Sequence, residues 1–216
     1  MALINLTAQA DRATVRDQLF YGDFGLQIAC SSAKKAGINH AHWVDMAHVM
    51  TPDVWATLTS ALIETSPQED ANHWEVIDSV GISQTISLMP ISDQLAYVQL
   101  ALSMEGMARE AYVAACTELA RVLTRRQFDE IYLGCHKTLA DFVEADLRDQ
   151  GESKFIDDLF GWNFFEFIDW DGYWCDWYGK QGYWDAYVIP GEHDSQSKEI
   201  GNSMTAVFKP FIAGSI

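Results

Sequence analysis

The feature that most constrains this chain is a run in its last third where acids and aromatic rings interleave. Residues 162–190, WNFFEFIDWDGYWCDWYGKQGYWDAYVIP, hold five of the eight tryptophans of a 216-residue sequence. Rings seek burial and carboxylates seek water, so such a run must fold around a core with its acids outward. A solvating tail would be acidic without the aromatics. Gly172, Gly179 and Gly182 punctuate the run, which predicts short strands and turns rather than one long helix.

Charge follows the same division. Residues 129–199 carry 17 acidic and 5 basic side chains, a net of −12, whereas the rest of the chain carries only −5 of the total −17. Clustered cations are what a phosphate-binding surface or an anionic membrane face needs, so direct nucleic-acid and membrane binding are both disfavoured. The expected partner is a basic protein, or one that normally holds a polyanion. With 49% hydrophobic residues the chain can bury a core. Neither a signal peptide nor a membrane-length apolar run is evident, and the four cysteines (Cys30, Cys116, Cys135, Cys175) form no C-x-x-C pair. A reduced, cytoplasmic protein is expected.

Upstream of the aromatic run the pattern reads as helices. Residues 6–20 form one, and 26–36 place Leu26, Ala29, Cys30 and Ala33 on one face before Gly37. Thr51-Pro52 caps a helix through Glu64, and Ser66 with Glu69 suggests a capping box. ISQTISLM, 82–89, alternates and is the one strand expected before residue 160. Tyr97, Leu100, Met104 and Met107 form a core-facing stripe that Gly106 should break. A further capping box, Thr124/Gln127, opens a helix that Gly134 should stop; Thr138-Leu-Ala-Asp141 starts the next, which Gly151 should end, and MTAVFKPFI reads as a last strand. The expected fold class is α+β, mostly helical: an N-terminal helical domain over 1–90, then 91–216 as a helical bundle ending in a small aromatic-rich unit with short strands.

Few residues suggest catalysis. Cys135-His136 are neighbours in an expected helix–helix loop, and adjacency does not place an imidazole on a thiol. His40, His42, Asp45 and His48 could suit zinc, but on a helix His42 and His48 would diverge by about 120°. Neither G-x-G-x-x-G nor G-K-[ST] occurs. Asp157-Asp158, or Glu166 with Asp169, could be drawn as acid and base, but so many carboxylates give such a pair no specificity.

Two blocks carry a resemblance. Phe128, Tyr132 and Gly134 precede a capped helix with Thr138, Asp141, Phe142 and Glu144; Phe167-Ile168-Asp169-Trp170 precede Tyr173 and Asp176. Their order and spacing resemble the ArdA-type antirestriction proteins, acidic DNA mimics of plasmids, transposons and phages. The likeness spans roughly 95–188 and is strongest over 127–177. Residues 1–90 do not look like the family's opening domain, Arg125-Arg126 is unusually basic, Trp stands for Tyr at several places, and the tail beyond Pro190 is additional.

The resemblance implies a non-enzymatic inhibitor, without metal or cofactor, that occupies the DNA groove of a host defence enzyme. That enzyme would be a type I restriction-modification complex, or by the same physics a CRISPR effector. It also implies a possible homodimer. The acidic track available for this consists of Asp129, Glu130, Asp141, Glu144, Asp146, Asp149, Glu152, Asp157, Asp158, Glu166, Asp169, Asp171, Asp176 and Asp185. Two other readings fit the composition: an immunity protein neutralising a basic toxin, and a metal-dependent hydrolase using His40, His42 and His48.

Overall fold

The computed structural model describes residues 22–150, 168–193 and 202–211. The expected helix 6–20 lies outside them. The fold is α+β and mostly helical, with two three-stranded antiparallel sheets. The chain divides into two compact units: residues 1–104 with 116–122 and 193–196, and residues 105–115 with 123–192 and 197–216.

The first unit contains a three-stranded sheet where the sequence suggested helices and a single strand at 82–89. Its sheet has the order β2-β1-β3, from β1 (Gly25–Cys30), β2 (Ala41–Asp45) and β3 (Trp74–Val80). Central β1 pairs Leu26 with Val44 on one side and Cys30 with Trp74 on the other, and it is buried along nearly its whole length. A strand covered on both faces is apolar without alternation, so its residues also satisfy a helical spacing. The helix expected over 26–36 is therefore β1 followed by one turn, α1 (Ser31–Lys35), before Gly37.

Helix α2 (Pro52–Glu64) begins as expected, with the Thr51 hydroxyl accepting from the Val54 amide. Ser66 opens no helix; its hydroxyl accepts from Gln68 N and points to Cys30 Sγ. The strand expected at 82–89 is instead a helical turn, α3 (Gln84–Ser87), because the Ser83 hydroxyl caps Ile86. Helix α4 (Ile91–Leu102) buries Leu95, Tyr97, Val98 and Ala101. Phe24 meets Tyr97 edge to face at 5.9 Å, and the Tyr97 hydroxyl donates to the Gly81 carbonyl at 2.8 Å. Gly81 has φ +66, and a Cβ there would collide with the Asp23 carbonyl oxygen. Only glycine fits that turn.

Helix α5 (Met107–Glu118) starts after Gly106, whose φ of +52 makes the expected break. In the second unit, α6 (Arg125–Ile131) carries the expected capping box and α7 (Leu139–Asp149) starts where expected, with a capping box of its own. The first of these helices ends at Ile131 rather than at Gly134. Residues Tyr132–His136 form β4, an edge strand of a sheet ordered β4-β6-β5, with β5 (Trp184–Val188) and β6 (Met204–Phe208). Gly134 sits inside β4 at φ +118, where the register shifts. Cys135-His136 thus belong to a strand, not a loop.

The strand expected in MTAVFKPFI is present as β6, and it is central in its sheet and almost wholly buried. The aromatic run is split: Trp170–Tyr173, Trp174–Tyr178 and Gly179–Gln181 are successive α, π and 3-10 turns, and only then does β5 follow. Phe142, Val143 and Leu147 of α7 form one core cluster with Trp174, Tyr178 and Val207. This cluster fixes the position of the acids around it.

Candidate acidic interface

Helix α7 holds its acids in place through its own ends and one long-range bond. The Thr138 amide and hydroxyl both donate to Asp141 at 2.9 Å, which locks the first turn. Phe142 points the other way and meets the Trp174 and Tyr178 rings edge to face at 5.9 and 5.4 Å. The Tyr178 hydroxyl then donates to Asp146, which also accepts from Gln150 Nε2 at 2.7 Å. Burial, and then that carboxylate, hold the Tyr178 phenol protonated far above its usual range.

The expected acidic residues that are described fall into three groups and one lone residue. Asp129 and Glu130 on α6 are exposed, but each is bound by the arginine four residues earlier: Arg125 at 2.9 Å and Arg126 at 2.8 Å. Glu144 takes Arg148 at 2.6 Å, and Asp176 takes Lys180 at 2.7 Å. Such exposed pairs add about 0.3–0.5 kcal/mol to a helix. Their larger effect is that each acid and its base together carry no net charge.

A second group is bound into local structure. Asp141 caps α7, Asp169 accepts from the Gly172 amide at 3.1 Å, and Asp146 holds Tyr178. Asp149 and Asp171 form a third group, exposed and with no hydrogen-bond or ionic partner among the described residues. Asp185, half-buried in β5 and opposite Val207, stands alone, and burial pushes its carboxyl above the usual 3.8. Glu152, Asp157, Asp158 and Glu166 lie outside the described residues.

The cysteine and histidine candidates named from the sequence do not form a catalytic pair or a three-histidine cluster. Cys135 and His136 are consecutive strand residues, so their side chains leave opposite faces of the sheet. The Tyr132 hydroxyl donates to Cys135 Sγ at 3.3 Å, and burial pushes that thiol up, away from the thiolate a nucleophile requires. His40 Nε2 donates to the Leu62 carbonyl at 2.9 Å at the end of α2, and His48 Nδ1 bonds Asp45 Oδ2 at 2.9 Å. His40, His42 and His48 do not converge as a set of three metal ligands. Burial, and then His40 beside it, depress the His42 imidazole.

One feature had no sequence signal. A cleft of about 480 Å³ lies where the start of α7, the turn at 168–171 and strands β5 and β6 meet, lined in part by Lys137, Asp169, Asp171, Tyr187 and Thr205. Those residues come from four separate segments, so only tertiary structure brings them together.

No family model, curated protein or solved structure matches this chain. Among the described residues no helix is long and apolar enough to cross a membrane.

Proposed function

We propose that the protein is a DNA-mimic inhibitor of a mobile element, occupying the DNA groove of a host defence enzyme. The target class is a type I restriction-modification complex, or a CRISPR effector that holds nucleic acid in a similar basic channel. The observation that carries this reading is the rigid display of carboxylates around one aromatic core. Asp141, Glu144, Asp146 and Asp149 project from a helix capped at its start and bolted at Asp146, while Asp169, Asp171 and Asp176 stand on the turns packed against it. The resemblance of residues 127–177 to ArdA-type antirestriction proteins agrees with it.

Magnitudes bound the reading. An 11-residue α7 is about 16 Å long, so its four acids, offset by Arg148, supply roughly one net charge per 5 Å. Duplex DNA supplies one per about 1.7 Å of axis. Helix α7 alone is too dilute; the acids of the adjoining turns must share the surface for the density to approach that of a duplex. Like charges held this close repel, and the packed rings of Phe142, Trp174 and Tyr178 offset that cost.

The test is capture from a host lysate at low salt, followed by competition. Nonspecific duplex DNA should displace the captured enzyme, and raising the salt should weaken the complex steeply. A complex indifferent to both would overturn the reading and favour a toxin-neutralising protein, whose affinity rests on one or two anchors.

A further inference from the structure

The cleft at the start of α7 contains an uncommitted polar group. Thr205 is only 3% exposed yet lines the cleft, and its hydroxyl has no hydrogen-bond partner among the described residues. A hydroxyl that is open to a cleft and has no partner within the protein is a ready contact for a ligand. In the sheet Thr205 lies opposite Tyr187, whose ring is 79% exposed. Tyrosine is enriched among the residues that dominate binding energy at interfaces.

The charges around the cleft select the occupant. Asp171 has no partner and Asp169 spends one oxygen on the Gly172 amide, leaving acceptor capacity on both. Two carboxylates repel phosphate and any other anion. Leu139 and Ile168 add apolar lining that an aliphatic stem could cover. A guanidinium is planar, weakly hydrated, able to stack on a ring and to donate in a fork to a carboxylate, which an ammonium cannot do as well. Lys137 also lines the cleft and opposes a cation there.

We infer that this cleft seats one arginine side chain of the inhibited protein, with its guanidinium on the Tyr187 ring and donating to Asp171 and to the Thr205 hydroxyl. The inference rests on the inhibitor reading for its occupant, and it adds a single anchored contact to an otherwise distributed charge surface. Lys137 disfavours the occupant, so it sets an upper limit on affinity that its removal should lift.

The chemistry can be tested without the target. N-acetyl-arginine amide, titrated into the isotope-labelled full chain, should give saturable shifts at the Trp170 indole and the Thr205 amide. Asp171→Asn should weaken this binding by about tenfold, as loss of a charge-assisted pair does. Tyr187→Ala and Thr205→Val should each weaken it, Lys137→Ala should tighten it, and N-acetyl-lysine amide should bind more weakly than the arginine probe. Asp171 and Tyr187 are exposed, so those two variants decide the matter even if Thr205→Val unfolds.

Absence of saturation, an unchanged response in Asp171→Asn and Tyr187→Ala, or occupation by glucose or inorganic phosphate in place of the arginine probe overturns the inference. The two proposals fail separately. If arginine does not bind but duplex DNA still displaces the target, the cleft assignment falls and the inhibitor reading stands. If arginine binds but duplex does not compete, the inhibitor reading falls and takes the named occupant with it.

Discussion

The Tyr178 hydroxyl donates to the Asp146 carboxylate across 32 residues of sequence, bolting the π-helical turn to α7. A hydrogen bond to a charged acceptor contributes about 1.5–3 kcal/mol. Tyr178→Phe should therefore lower stability by roughly 1–2 kcal/mol, since the ring stays packed and only the hydroxyl is lost. Asp146→Asn should cost less when Tyr178 is already Phe. Denaturant melts of the two single variants and the double variant measure that coupling, and additive losses would show that the bond contributes nothing.

The aromatic core separates two neighbouring tryptophans. Trp174 is 7% exposed within the cluster of Phe142 and Tyr178, whereas Trp170 is half-buried at its edge beside the cleft. Trp174→Ala should cost about 3–5 kcal/mol, and Trp170→Ala clearly less. Thermal melts rank them; equal losses would mean that Trp170 is as deeply packed as its neighbour.

Backbone geometry gives a sharper case in the first unit. Gly81→Ala must place a methyl group against the Asp23 carbonyl at a positive φ. The expected loss is about 2 kcal/mol or more, from strain together with displaced backbone. Gly37→Ala has the same sign of φ but open space around it, so its loss should be smaller. A pair of urea titrations decides between them.

Asp185 makes a prediction about pH. Burial raises its carboxyl pKa in the folded chain, so the folded state holds that proton more firmly than the unfolded one. Stability from this group is greatest at low pH and declines as pH climbs from the ordinary carboxylate value through the raised one. Asp185→Asn should consequently stabilise the protein at pH 7 and give no gain below about pH 3.8. Melts at the two pH values test the sign.

Charge removal should not act evenly along the acidic surface. Asp149→Asn and Asp171→Asn delete unpaired acids, whereas Asp129→Asn also frees Arg125. Each single change outside the cleft should weaken the complex slightly, Asp171→Asn should weaken it more, and four together, Asp141, Glu144, Asp149 and Asp171 to their amides, should abolish it. Affinity series at two salt concentrations check this; one dominant residue outside the cleft would sink the distributed model.

Legibility from sequence followed the physics of each signal. Caps are local, so Thr51, Thr124 and Thr138 marked their helices correctly. Central β1 was hidden because burial on both faces erases the period-two pattern, and β3 was hidden because Glu75, Asp78 and Ser79 break its apolar run. The acids of α7 were readable as one polar face, since helical spacing alone places them. Their ties to Tyr178, Arg148 and Thr138 needed side-chain geometry. The Thr205 hydroxyl and the Tyr187 ring become neighbours only through the β5–β6 register.

The arginine and lysine partners of Glu144, Asp176, Asp129 and Glu130 have a consequence for how association would look in solution. Duplex DNA carries a loose atmosphere of small cations, and their release on binding makes affinity fall steeply with salt. Here part of that atmosphere is covalently attached: a groove that meets Glu144 displaces Arg148, which stays tethered instead of escaping into bulk. Fewer free ions are liberated per carboxylate engaged. The logarithmic salt slope of the complex should therefore count fewer charges than the surface buries, and fewer than a duplex of equal footprint would release.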